Sequence, residues 1–157
     1  MMKRLWLSLS LLVLLVSMVS SLSVPGAQAG DFNPELAAQT GADDYGMKSY
    51  VMAFLKAGPN REGTEAKKAE LQRAHLDNIK RLADEGLLVP AGPFLDDGVL
   101  RGIYIFNVAD IDTAKKLTES DPAIQAGSLV MELHPWYGSA ALMQINQLHS
   151  QLARKGI

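Results

Sequence analysis

The chain has three histidines, His75, His134 and His149, and no cysteine. His75 is the one whose setting asks for chemistry. It lies in AELQRAHLDNIKRLADEG, residues 69–86. At about 100° per residue, Leu71, Leu82, Ile79, Ala83 and Leu76 share a stripe about 140° wide, and His75 falls inside it. A neutral imidazole on a core-facing stripe has one donor and one acceptor nitrogen to satisfy. Backbone groups could do this, and that structural role is the commoner one for a buried histidine. A carboxylate partner would instead fix the tautomer. Beside a cavity, such a pair is the minimum apparatus for general acid–base catalysis.

Asp121 is the best candidate for that carboxylate. It precedes Pro122, however, and Asp-Pro is also a helix-start signature, with Asp as N-cap and Pro in the first turn. Spacing favours the cap and does not by itself bring residues 75 and 121 together. Glu132 and His134 are the next pair. In SLVMELHPW, alternation puts Val130, Glu132 and His134 on one side and Leu129, Met131 and Leu133 on the other. If the leucine side meets helices, Glu132 and His134 face the open side, as lining of a cleft or seam or simply as a polar outer face. The aromatic corner Trp136-Tyr137 is read as buried area at an edge or a subunit contact. Other chemistries lack support. The histidines have no close metal-ligand spacing, no glycine-rich phosphate loop is followed by lysine and a helix start, and no G-x-S-x-G elbow is present.

These residues need elements to hold them. Gly30–Gly46, polar with a proline and an Asp pair, reads as a mobile leader. YVMAFL reads as a strand buried on both faces, ended by Gly58-Pro59-Asn60. Thr64 is an N-cap for the His75 helix, which runs to Glu85 with Gly86 as the C′ glycine. LLVPAGPFL is extended but holds two prolines, which predicts an edge or bulged strand. Asp96-Asp97-Gly98 marks a turn, RGIYIFNV a third strand, Asp110–Leu117 a short helix, Asp121–Gly127 a further helical turn and SLVMELHPW a fourth strand. Ser139–Lys155 reads as one last helix. The order β-α-β-β-α-β predicts an α+β ferredoxin-like sandwich, a four-stranded antiparallel sheet with helices on one face. Strands apolar on both faces then need a second cover. A second copy of the chain, hence a homodimer, or the C-terminal helix would supply it.

Composition narrows the class. The chain has 157 residues and a net charge of −2, with no basic block, which argues against nucleic acid and anionic membranes as partners. Met1–Arg4 is positive, Leu5–Val19 is rich in Leu and Val, and Ala27-Gln28-Ala29 has the small residues a signal peptidase reads, so residues 1–29 read as a secretory signal. The alternative is an uncleaved anchor, although the apolar run is short for a membrane span. Without Lys3 and Arg4 the remaining chain is more acidic by two charges. The protein is expected in the periplasm or outside the cell, with no membrane contact after cleavage. Having no cysteine, it would enter that oxidising compartment without disulfides.

Several of these stretches together resemble the YciI-like (YCII-related) domain family: YVMAFLKAGP, RAHLDNIKRLADEGLLVPAGPF, RGIYIFNVADIDTAKKLTESDPAIQAG and VMELHPW, over Tyr50–Tyr137. The resemblance implies a ferredoxin-like fold of the dimeric α+β barrel type. It also implies an active-site pair formed by the helical histidine and the aspartate of the D-P box, here His75 and Asp121. Its implied chemistry is lyase- or dehydrohalogenase-like, on small and often aromatic molecules. The chain departs from the family pattern in its export signal, its Asp96–Gly98 hairpin and its C-terminal helix. The expected organisation is therefore a signal peptide (1–29), a flexible leader (30–47), a YciI-like domain (48–138) and a helical extension (139–157). The expected function is proton transfer by His75, oriented by Asp121, in an elimination or isomerisation without cofactor or metal. Tyr104, Glu132 and His134 are expected to line the substrate cleft. The competing expectation is a non-catalytic dimeric module, ligand-binding or structural, in which His75 and Asp121 form a buried hydrogen bond.

Overall fold

The computed structural model describes residues 30–155. In chain order the elements are α1 (Pro34–Thr40), β1 (Met47–Ala57), α2 (Glu65–Asp84), β2 (Leu88–Pro93), β3 (Leu100–Phe106), α3 (Ile111–Thr118), α4 (Pro122–Gln125), β4 (Leu129–Ser139), a 3-10 turn (Ala140–Gln144) and α5 (Ile145–Leu152). The strands form one antiparallel sheet in the order β2-β3-β1-β4. The two long connections, α2 and α3–α4, each step past a central strand, which makes the α+β ferredoxin-like fold.

Alternation along β1 builds two faces. Val51, Ala53 and Leu55 point to the helices and pack with Leu82, Leu88, Tyr104, Phe106 and Ala114. Leu129, Met131 and Leu133 of β4 join that side. Ala53 is paired with Tyr104 on one flank and Leu133 on the other, so a small residue sits where the ring of Tyr104 needs room. The ends of α2 are as its sequence predicts. Thr64 Oγ1 accepts from Lys67 N at 3.3 Å, and Gly86 takes φ +70°, a left-handed conformation that glycine adopts without penalty. β2 is an edge strand, with a bulge between Leu88 and Ala91 around Pro90.

Two expectations about the flanks are corrected. Gly30–Gly46 is not featureless. Asn33 Oδ1 caps α1 through Leu36 N at 3.0 Å, with Pro34 in the first turn. Asp43 then closes the connection to β1, accepting from Tyr45 N and Met47 N at 2.9 Å each and from the Tyr137 hydroxyl. These bonds hold the Asp43 carboxyl below the usual range, Tyr137 first. The C-terminal segment is also not one helix. Ser139 is still in β4, and the tighter turn over Ala140–Gln144 aligns Leu142 with Ile145 before α5 begins. Leu142, Met143 and Ile145 cover Tyr50, Val89 and Ile105 on the sheet face away from α2. Asn146 Nδ2 pins α5 to the edge strand through Leu88 O at 2.8 Å. The cover is partial: Val130, Glu132 and His134, further along that face, are exposed. Among the described residues no helix is long and apolar enough to cross a membrane. The signal-peptide reading of residues 1–29 lies outside the described residues.

Candidate active site

The phase of α2 turns His75 inward, toward the sheet. Its Nδ1 lies 2.9 Å from both carboxylate oxygens of Asp121. Asp121 is fully buried, and Oδ1 also accepts from Ala123 N at 2.9 Å, capping α4. A carboxylate only accepts, so in a neutral imidazole this contact puts the proton on Nδ1 and the lone pair on Nε2. The Tyr104 hydroxyl stands 3.4 Å from His75 Nε2 and 3.4 Å from Asp121 Oδ2, and the two rings stack with centroids 6.2 Å apart. Burial, and after it the charge and hydrogen bond of Asp121, push the Tyr104 phenol far up, so it stays protonated and is available as a donor.

Two sets of contacts hold α4, and therefore Asp121, in place. Below His75 on α2, Arg81 Nη2 donates to Asn78 Oδ1 at 2.8 Å and to Ser120 Oγ at 3.0 Å, next to Asp121 in the chain. On the other side the loop after β1 clasps the far end of α4: Gly58 N donates to Ser128 O at 2.9 Å and Asn60 N to Gly127 O at 3.0 Å.

His75 and Tyr104 open onto a cavity of about 580 Å³. That is ample for a small organic molecule. Leu71, Leu76 and Ile79 of α2 roof it, and Ala91, Gly92 and Gly102 leave its floor nearly without side chains. A Cβ at Gly102 would meet the Gly92 carbonyl oxygen at 2.6 Å, so the close approach of β2 and β3 requires glycine there.

Of the predicted site residues, His75, Asp121 and Tyr104 come together. Glu132 and His134 do not join them. Ala53 and Leu133 pair on the helix side, so the alternate positions point to the opposite face. There Glu132 pairs with Lys56, and His134 Nε2 lies 2.8 Å from Glu132 Oε1. Lys56, and then His134, hold the Glu132 carboxyl below its usual range. The pair is an exposed ionic cluster outside the His75 cavity. Sequence reading missed Arg61, Lys68 and Arg101, which line the cavity. A faint signal existed for Arg101: an arginine stands between Leu100 and the apolar run of β3.

The YCII-related domain family matches residues 51–137, more than half of the chain. The chain belongs to the YCII-related domain family. No curated protein matches it. Among solved structures it is similar to the 5-chloro-2-hydroxyhydroquinone dehydrochlorinase of Burkholderia phenoliruptrix in complex with 2,5-dihydroxybenzoquinone, at 20% identity and a TM-score of 0.43, covering 57% of this chain and 93% of that one. The matched residues of the YCII-related domain run from the middle of β1 to Tyr137 in β4, and so contain His75, Tyr104 and Asp121.

Proposed function

We propose that this chain is a small-molecule enzyme that moves a proton in an elimination or isomerisation, and that it works as a homodimer. His75 Nε2 takes a proton from carbon, and the C–H electron pair becomes a new π bond. In an elimination the leaving group departs with its bonding electron pair, and the imidazolium then passes its proton to water. In an isomerisation an existing π bond shifts, and the imidazolium gives the proton to the carbon that takes up that electron pair. Asp121 holds the ring in the Nδ1–H tautomer and faces the positive charge that forms on it. The Tyr104 hydroxyl stands beside the base, 3.4 Å from Nε2, and lines the same cavity. One observation carries this reading: the imidazole is held through Nδ1 by a buried carboxylate while the ring lines a cavity of small-molecule size. With residues 1–29 read as a signal, the reaction would take place outside the cytoplasm.

The tautomer is the direct test. In ¹⁵N NMR of the imidazole, Nδ1 is expected as the protonated nitrogen and Nε2 as the lone-pair one, with Asp121→Asn disturbing that assignment. An Nε2–H tautomer in the wild-type protein would remove the base from the cavity and end the proposal. His75→Gln separates catalysis from a purely structural pair. A structural role predicts a loss of about 1–3 kcal/mol for the unpaired buried group, whereas a catalytic role allows the fold to keep its stability while proton transfer is lost.

A further inference from the structure

The walls of the His75 cavity are unbalanced in charge. Arg61, Lys68 and Arg101 line it, and among the described residues no aspartate or glutamate does, in a chain with 17 acids and 15 bases. The imbalance is local and needs a reason.

The three cations are not equivalent. Lys68 bonds Glu65 at 3.1 Å, and Arg61 Nη1 donates to Ser128 O at 3.1 Å, and both residues are exposed. Arg101 is half-buried, and its guanidinium has no acceptor among the described residues. Its Nε is fully shielded from solvent and makes no hydrogen bond. A guanidinium does not shed its charge to relieve this, and a shielded N–H without an acceptor is costly. The strand irregularity explains how it comes to lie there. The β1–β3 register shifts between Leu55 and Lys56, beside Gly102, and both Arg101 and Gly102 line the cavity. Leu71, Leu76, Ile79 and Leu129 supply an apolar part of the wall, with Gln72 and Ser128 also lining it.

We propose that the cavity takes a small organic carboxylate with an apolar body, and that Arg101 binds the carboxylate. The planar fork of guanidinium donors matches two carboxylate oxygens. The leucine and isoleucine walls take the apolar body. Arg61 and Lys68, at the exposed rim, raise the local concentration of anions. This deepens the proton-transfer reading and rests on it for the placing of the reacting carbon against His75. The binding of the anion itself does not depend on that reading.

The test compares benzoate with benzamide, of the same shape and without the charge, by following ring resonances of His75 and Tyr104 in NMR titrations of the full described chain. Benzoate is expected to bind about tenfold or more tightly than benzamide, and to weaken as salt is raised. Arg101→Met, similar in length, is expected to remove that preference by weakening benzoate far more than benzamide. Arg101→Lys is expected to restore part of it, having charge without the fork. Equal affinity for the two probes in the wild-type protein overturns the proposal without need of any variant, and so does failure of benzoate to bind. Benzoate affinity unaltered in Arg101→Met overturns it as well. The two readings fail separately. An Nε2–H tautomer at His75 with Arg101-dependent benzoate binding ends proton transfer and keeps the anion site. The Nδ1–H tautomer with no preference for benzoate does the reverse.

Discussion

Asp121 shows why a residue's two possible roles need not compete. A carboxylate has two oxygens with room for several donors. Oδ1 caps α4 through Ala123 N and also receives the His75 proton, which lies equally close to Oδ2. The helix-start reading and the imidazole-partner reading of Asp-Pro are both true of the geometry, because the cap places the carboxylate at the end of α4 that meets α2. Tyr104 offers a measurable consequence of this buried cluster. The folded state binds its phenolic proton more tightly than the unfolded chain, whose value is about 10. The stability this contributes is therefore complete below about pH 10 and lost as pH rises beyond it. Tyr50 is shifted the same way by burial, so Tyr104→Phe should remove part of the alkaline loss. Urea unfolding at about pH 9 and about pH 11 should show a smaller drop in the variant than in the wild-type protein. Identical drops would mean that the phenol is not held in this environment.

At the scale of elements, the site depends on how the short α4 is gripped. Gly58 is the tightest point. A Cβ there would lie 2.2 Å from the Gly127 carbonyl oxygen and 2.8 Å from the Ser128 carbonyl carbon, both main-chain atoms that a rotamer change cannot move. Gly58→Ala must push the β1–α2 loop off the end of α4. Its expected cost is about 1–3 kcal/mol, as for overpacking elsewhere, read from denaturant unfolding, with a change in the NMR signals of the His75 ring. A variant as stable as the wild-type protein would show that the clasp is not needed. The helix α2 is the opposite case. Its stripe, cap and terminal glycine were all legible in residues 64–86, because a helix of this length sets its inward face by its own periodicity. The C-terminal segment was only half legible. Its apolar residues were visible, but the break into a 3-10 turn and α5 follows from where Tyr50, Val89 and Ile105 lie, on strands far away in sequence.

At the scale of the whole molecule, the sheet face away from α2 is covered at one end and open at the other. Leu142, Met143 and Ile145 cover the Tyr50 end. The open end presents Val130, with Phe54 packed edge-on against His134 at 5.7 Å and Lys56 paired with Glu132. A strip carrying both charges and apolar area can face its own copy across a two-fold axis. The homodimer proposed above would use it, and Glu132 and His134 would then be seam residues. Light scattering should give a dimer at micromolar concentration, and Phe54→Glu should shift it to monomer. A wild-type monomer under those conditions would leave the face without its second copy.

The β-α-β-β-α-β order of the core, the caps of α2 and α4, the edge position of the proline-bearing strand and the inward phase of His75 were all determined by sequence, because each follows from local periodicity and turn chemistry within about twenty residues. The resemblance to the YCII-related domain added Asp121 as a partner, which spacing did not supply. Only the tertiary structure decided the rest. It put Glu132 and His134 behind the sheet, made the Asp43 segment a closed connection, and left Arg101 Nε without an acceptor among the described residues, on a side chain that lines the His75 cavity. Each of these depends on strand register and on which segments meet across the fold, and pairing between distant segments is written in no single stretch of chain.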